Sequence, residues 1–253
     1  MITAIRAELI KLRTTRLPYG LLALAAGLVA LATILKAAGA GGSGHMAIEP
    51  LWTLTGQTKL FSSTDLAILL AGVFGVVVAS GEFRHQTATT TYLANPNRVQ
   101  VLAAKSAAGG LAGMVIGAVA GGVTTVIGAS FVAAKGYPLL LSGGTIVRFI
   151  VGATLGAGLL AVAGVAVGSL IRGQLGAMIG IFLWGFVVEQ IIGGLVDNAQ
   201  PYLPYTAATA LAGTPLGGGV TALPFAAAVA LIAAIMGAVA VVAARTVVPA
   251  DVT

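Results

Sequence analysis

Between Lys105 and Lys135 no residue carries a charge, and nearly all are apolar or small. About 20 such residues suffice to carry a helix across the hydrocarbon core of a bilayer. Lipid offers no water to bond to, so such a run must satisfy its own amides and carbonyls as a helix. The run begins near Val99 and ends near Ala134, longer than a span needs, so its first turns are expected to project into water. Five more runs are nearly as apolar, each with at most one charged residue: residues 17–38, 63–80, 145–170, 175–195 and 223–244. Composition agrees with this reading. The chain is 58% hydrophobic and 8% charged, whereas a soluble domain carries about 25% charged residues. So few charges cannot cover a soluble particle. The expected fold is an all-α integral membrane protein, a six-transmembrane-helix bundle. An N-terminal amphipathic interfacial helix should precede it, and a short outer re-entrant segment should lie between spans five and six. Residues 1–16 would form the interfacial helix, 17–245 the transmembrane domain and 246–253 a tail.

The N-terminal stretch alternates two kinds of residue. Ile2, Ile5, Leu9 and Leu12 recur at helical spacing, while Arg6, Glu8, Lys11, Arg13 and Arg16 interleave. A helix of that pattern lies in the membrane interface, with its cations toward lipid headgroups. A secretory signal is the other reading of a basic start before an apolar run. Here the basic part is too long and the run after it is long enough to span. The basic cluster could equally set topology alone, without a partner.

Six spans place both termini on one side. With the N-terminus inside, the inner side collects Arg6, Lys11, Arg13, Arg16, Arg84, Arg98, Lys105, Arg172 and Arg245. The outer side collects Lys36, Lys59, Lys135 and Arg148. Nine against four, by the positive-inside rule, puts both termini in the cytoplasm of a plasma-membrane protein. The net charge of +6 is therefore read as membrane lipid contact, not nucleic-acid binding. The absence of cysteine excludes disulfides and cysteine metal sites.

Glycines recur every four residues in the third run: Gly109, Gly113, Gly117 and Gly121. Such a stripe lets another helix approach closely. Gly152 and Gly156, then Gly164 and Gly168, repeat the pattern in the fourth run. Trp52, Trp184, Tyr202 and Tyr205 are expected near the interfaces, where aromatic rings anchor. Residues 196–222 form a longer outer segment, and its middle, 206–212, is apolar enough to dip into the interface or re-enter beside protein.

Little in the chain can do covalent chemistry. No Gly-x-x-x-x-Gly-Lys-Ser/Thr sequence occurs, so no Walker A loop can cradle nucleotide phosphates. His45 and His85 are the only histidines and cannot build a multi-histidine metal site. Gly41-Gly42-Ser43-Gly44 followed by His45 imitates a protease motif but is read as a flexible outer loop. No enzyme is expected. Glu189, with Gln190 beside it, is the carboxylate expected at membrane depth. Such a group marks a substrate path or a structural hydrogen-bond site, and both readings are open.

The most specific stretch is a polar island between the second and third runs, residues 81–105. Its Glu82-Phe83-Arg84, Thr87, Thr91 with Leu93, Pro96-x-Arg98 and Ala104-Lys105 resemble the first cytosolic loop of ABC-2 type permeases. Gln86 stands where that family has glycine. The resemblance implies a membrane subunit of an ATP-binding-cassette exporter. Residues 81–98 would be the coupling loop, and Glu82, Phe83, Arg84, Thr87, Thr91, Pro96, Arg98 and Lys105 would couple it to the ATPase. It also implies two ATPase subunits that bind ATP and Mg, with no cofactor in this chain, and a second permease copy or a related permease. The expected role is efflux of a lipophilic substrate such as a drug, a lipid or a hydrophobic peptide. The alternative is a gradient-driven secondary transporter or channel without an ATPase.

Overall fold

A computed structural model describes residues 1–43, 47–84, 97–171 and 173–247. Among them there is no strand, and six helical stretches are long and apolar enough to cross a membrane. The chain begins with α1 (Ile2–Thr14), then α2 (Leu17–Ala38), whose first turn accepts Pro18 because no amide donor is needed there. A short α3 (Leu54–Phe61) leads into α4 (Asp65–Arg84). Thr53 caps α3 by accepting from the Gly56 amide at 3.0 Å. The long α5 (Arg98–Ala134) starts at Asn97, which accepts from the Gln100 amide at 3.0 Å. Ser142 caps α6 (Gly143–Leu170) by accepting from the Thr145 amide at 3.1 Å. The fifth span is α7 (Gln174–Leu183), a π-helical turn (Trp184–Val188) and α8 (Glu189–Leu195). After the fifth span the chain folds into α9 (Pro204–Leu211) between two 3₁₀ turns, and α10 (Phe225–Val247) closes the bundle.

The core is a three-helix layer with α6 at its centre. The glycine stripe of α5 faces α6 in antiparallel register. A Cβ on Gly109 would come within 2.8 Å of Val165, one on Gly113 within 2.6 Å of Ala161, and one on Gly121 within 3.1 Å of Ile150. At Gly117 it would overlap the Ala153 carbonyl outright. A second face of α6 meets α4 in parallel register, Gly164 against the Gly72 carbonyl and Gly168 against Val76. A third face receives α9, with Gly152 under the Leu211 carbonyl and Gly156 under Ala208. The stripes predicted on α5 and α6 thus pack against helices of this chain, in the way small residues permit. Gly152 lies nine residues into α6, about 14 Å along the axis at ~1.5 Å per residue.

The helices share this core unequally. In the second span 78% of the most apolar window is buried, against 22% in α2, 22% in the fifth span and 17% in α10. Three hydroxyls inside the bundle are satisfied by their own helices: Thr33, Ser80 and Ser169 each donate to the carbonyl four residues back, at 2.7–2.8 Å. Away from the core, Gln57 is wholly buried and stitches the loops together. Its amide donates to the Leu51 and Pro138 carbonyls at 2.9 and 2.8 Å, and its oxygen accepts from the Leu140 amide at 2.8 Å. Nearby, Lys59 reaches Glu49 at 2.8 Å and holds that carboxyl below its ordinary range.

Candidate functional site

Two polar constellations stand out, one at each end of the bundle. The first is at the end where α1, α4 and α5 meet. α4 stays helical through Glu82, Phe83 and Arg84, and α5 begins at Arg98, so the island is bounded by two helix ends. For Glu82, Phe83, Arg84 and Arg98 the backbone alone is described, and Thr87, Thr91 and Pro96 lie outside the described residues, as do His45, His85 and Arg172. Lys105 is described in full. It is not on the surface of the loop but 5% exposed, and its ammonium bonds to Glu8 Oε2 at 3.1 Å. The other oxygen of Glu8 accepts from Lys11 at 2.7 Å.

The residue of α1 that buries most deeply is therefore its acid. Ile2 of the apolar stripe is 84% exposed, whereas Glu8 is 7% exposed. A carboxylate so placed is stable only because a cation is buried with it. The Glu8–Lys105 contact fastens α1 onto the start of α5. The sequence places Glu8 among the charged residues that interleave with the apolar stripe but does not give it a partner. The available signal was its place between two basic residues on a helix otherwise rich in cations.

The second constellation is built around Glu189, which is 1% exposed. Its Oε1 accepts from the Trp184 indole at 2.7 Å and the Tyr205 amide at 2.8 Å. Its Oε2 accepts from the Thr206 amide at 2.7 Å and the Thr206 hydroxyl at 2.8 Å. Both amides belong to the first turn of α9, where donors point outward unpaired and the helix dipole favours negative charge. Leu203 precedes α9 and offers no side-chain cap. The fifth span supplies the cap instead.

The π turn makes this reach possible. Residues five apart stand roughly 140° apart around an ordinary helix, at ~100° per residue. In a π turn the i to i+5 bond stacks them, and here the Glu189 amide bonds to the Trp184 carbonyl. Trp184 and Glu189 then share one face. Gln190 is exposed on another. Tyr205 is 6% exposed and donates its phenol to the Asp65 carbonyl at 3.3 Å, and Thr214 donates to the Asp65 carboxylate at 2.6 Å. Trp184 and Tyr205, expected as interface anchors, are thus wired into this cluster. Trp52 and Tyr202 are largely exposed.

Beside the cluster lies a cavity of about 420 Å³ between α4, α6, α9, α10 and the fifth span. Leu69, Leu160, Ile181, Ile235 and Met236 form its walls, with Trp184 and Tyr205 at the Glu189 end. Among the described residues no charged side chain lines it. Its size falls in the range of small-molecule sites, ~300–1,000 Å³, and its surface suits an apolar guest. Among the described residues no group of acids and histidines could hold a metal ion. Compared with protein-family models and with curated proteins, the chain matches none.

Proposed function

We propose that this chain is the permease of an ABC-2 type exporter, working in the plasma membrane with both termini in the cytoplasm. The observation that carries the reading is the order Glu82-Phe83-Arg84, Thr87, Thr91, Pro96-x-Arg98 and Ala104-Lys105 between the second and third spans. In this reading α1 is an amphipathic helix in the inner interface, and α9 is a re-entrant helix that turns back beside α6. Two ATPase subunits bind ATP and Mg below the island, and a second permease completes the path. ATP binding shifts the pair between two arrangements by contacting them unequally. Glu82 and Arg84 make charge-assisted contacts to the ATPase, with Phe83 as the apolar anchor.

Two structural features support the details. The apolar cavity suits a lipophilic substrate. The four donors on Glu189 engage both of its oxygens, which leaves it poorly placed to carry protons for a gradient-driven transporter. The test is to purify the tagged chain from native membranes, identify its partners by mass spectrometry and measure ATP hydrolysis. The expected result is an ATPase with a Walker A loop in stoichiometric amount, lost or uncoupled in a Glu82→Ala/Arg84→Ala variant. Purification without an ATPase, and a variant equal to wild type, would overturn the exporter reading.

A further inference from the structure

The second half of α1, with α2, α4 and α5, encloses an open groove of about 240 Å³. Leu12, Leu22, Phe74, Leu111 and Ile116 line it. Phe74 and Ile116 are buried in its floor, while Leu111 and Val115 are 48% and 53% exposed, so the groove opens sideways from the bundle. The end at the α1–α2 corner is different in kind. Arg13, in the last turn of α1, borders it. Tyr19 borders it too and donates its phenol to the Arg13 carbonyl at 3.3 Å, which fixes the corner. The middle of the same helix is fastened by Glu8 to Lys105. Among the described residues no carboxylate pairs with Arg13, and the single acid of α1 is engaged by two lysines.

A guanidinium at one end of an apolar slot that opens sideways matches an amphiphile with an anion at one end and a chain along the rest. We propose that this groove holds one anionic phospholipid, its phosphate on Arg13 and one acyl chain between α2 and α5. The charge selects the occupant. A guanidinium pairs with phosphate through parallel bonds, and an anionic headgroup leaves that attraction uncompensated by a cation of its own. A helix from a second copy would fill the slot but leave Arg13 unpaired. The inference requires only that the chain sits in a bilayer and stands apart from the exporter reading.

Native mass spectrometry of the delipidated full chain tests it, by titration with phosphatidylglycerol and with phosphatidylcholine of the same acyl chains. Wild type is expected to take up one phosphatidylglycerol with a preference of about fivefold, the pull of one basic residue on an anionic headgroup. Arg13→Gln should abolish that preference, and Arg13→Lys should keep part of it. Val115→Trp, a filling substitution at an exposed position, should weaken both lipids; Leu111→Trp is the second filling variant should the first not fold. A preference that survives Arg13→Gln, or lipid uptake indifferent to both tryptophans, overturns the proposal. So does uptake of inorganic phosphate without lipid, or a dimer whose second copy shields an introduced Leu111→Cys from labelling.

Discussion

Glu189 is held by donors that have no other acceptor. Replacing it with alanine strands two backbone amides, an indole and a hydroxyl in an apolar setting. An unsatisfied buried group costs about 1–3 kcal/mol, so Glu189→Ala should lose at least ~3 kcal/mol and lower the melting temperature in detergent. Glu189→Gln should lose less, since one oxygen remains. An unchanged melting curve for the alanine variant would show that α9 does not depend on this cap. At the other end, breaking the Glu8–Lys105 pair from either side should cost about 3–5 kcal/mol, because the remaining charge stays buried. The double variant should cost less than the sum of the two, and a double-mutant cycle in thermal unfolding reads this coupling. The contact of Glu8 with the half-exposed Lys11 should contribute under ~1 kcal/mol. Glu189 as the lone carboxylate within the fifth span was legible in the sequence; its partners were not. Trp184 becomes its neighbour only through a π turn, and Tyr205 and Thr206 only through a helix sixteen residues further on. The uncapped start of α9 at Leu203-Pro204 was the one local hint that an acceptor must come from elsewhere.

At the scale of elements, α6 touches three neighbours through faces with no room for a methyl group. Gly117→Ala and Gly122→Ala make a matched pair on α5. The first drives a Cβ into the Ala153 carbonyl, and the second meets nothing within 4 Å. Overpacking of the first kind costs about 1–3 kcal/mol. Gly122→Ala should be neutral or stabilise by about 0.5–1 kcal/mol, since alanine is the better helix former. Equal melting temperatures for the two would refute the close α5–α6 seam. The stripes were readable because period and residue type both survive in the sequence. Their partners were not, since a small-residue face states that something approaches but not what. The spans were legible within a few residues, because length and hydropathy fix them. The continuation of α4 to Arg84 was not, as its last turn is written in polar residues that suit a loop equally well.

At the scale of the whole molecule, the orientation expected from nine basic residues on one side and four on the other is open to direct measurement. The chain contains no cysteine, so a single introduced thiol is the sole label site. Lys135→Cys should react with a membrane-impermeant maleimide in intact cells, and Thr14→Cys only after permeabilisation. The reverse pattern would invert the topology. The clasp between the fifth span and α9 also joins parts of the chain that are synthesised one after the other. Until α9 emerges, the newly inserted fifth span carries a carboxylate that lacks three of its four donors. Until that span is seated, α9 has no anion for its amides. A chain ending at Leu195 would therefore leave the Glu189 carboxylate with the Trp184 indole as its single remaining donor of the four.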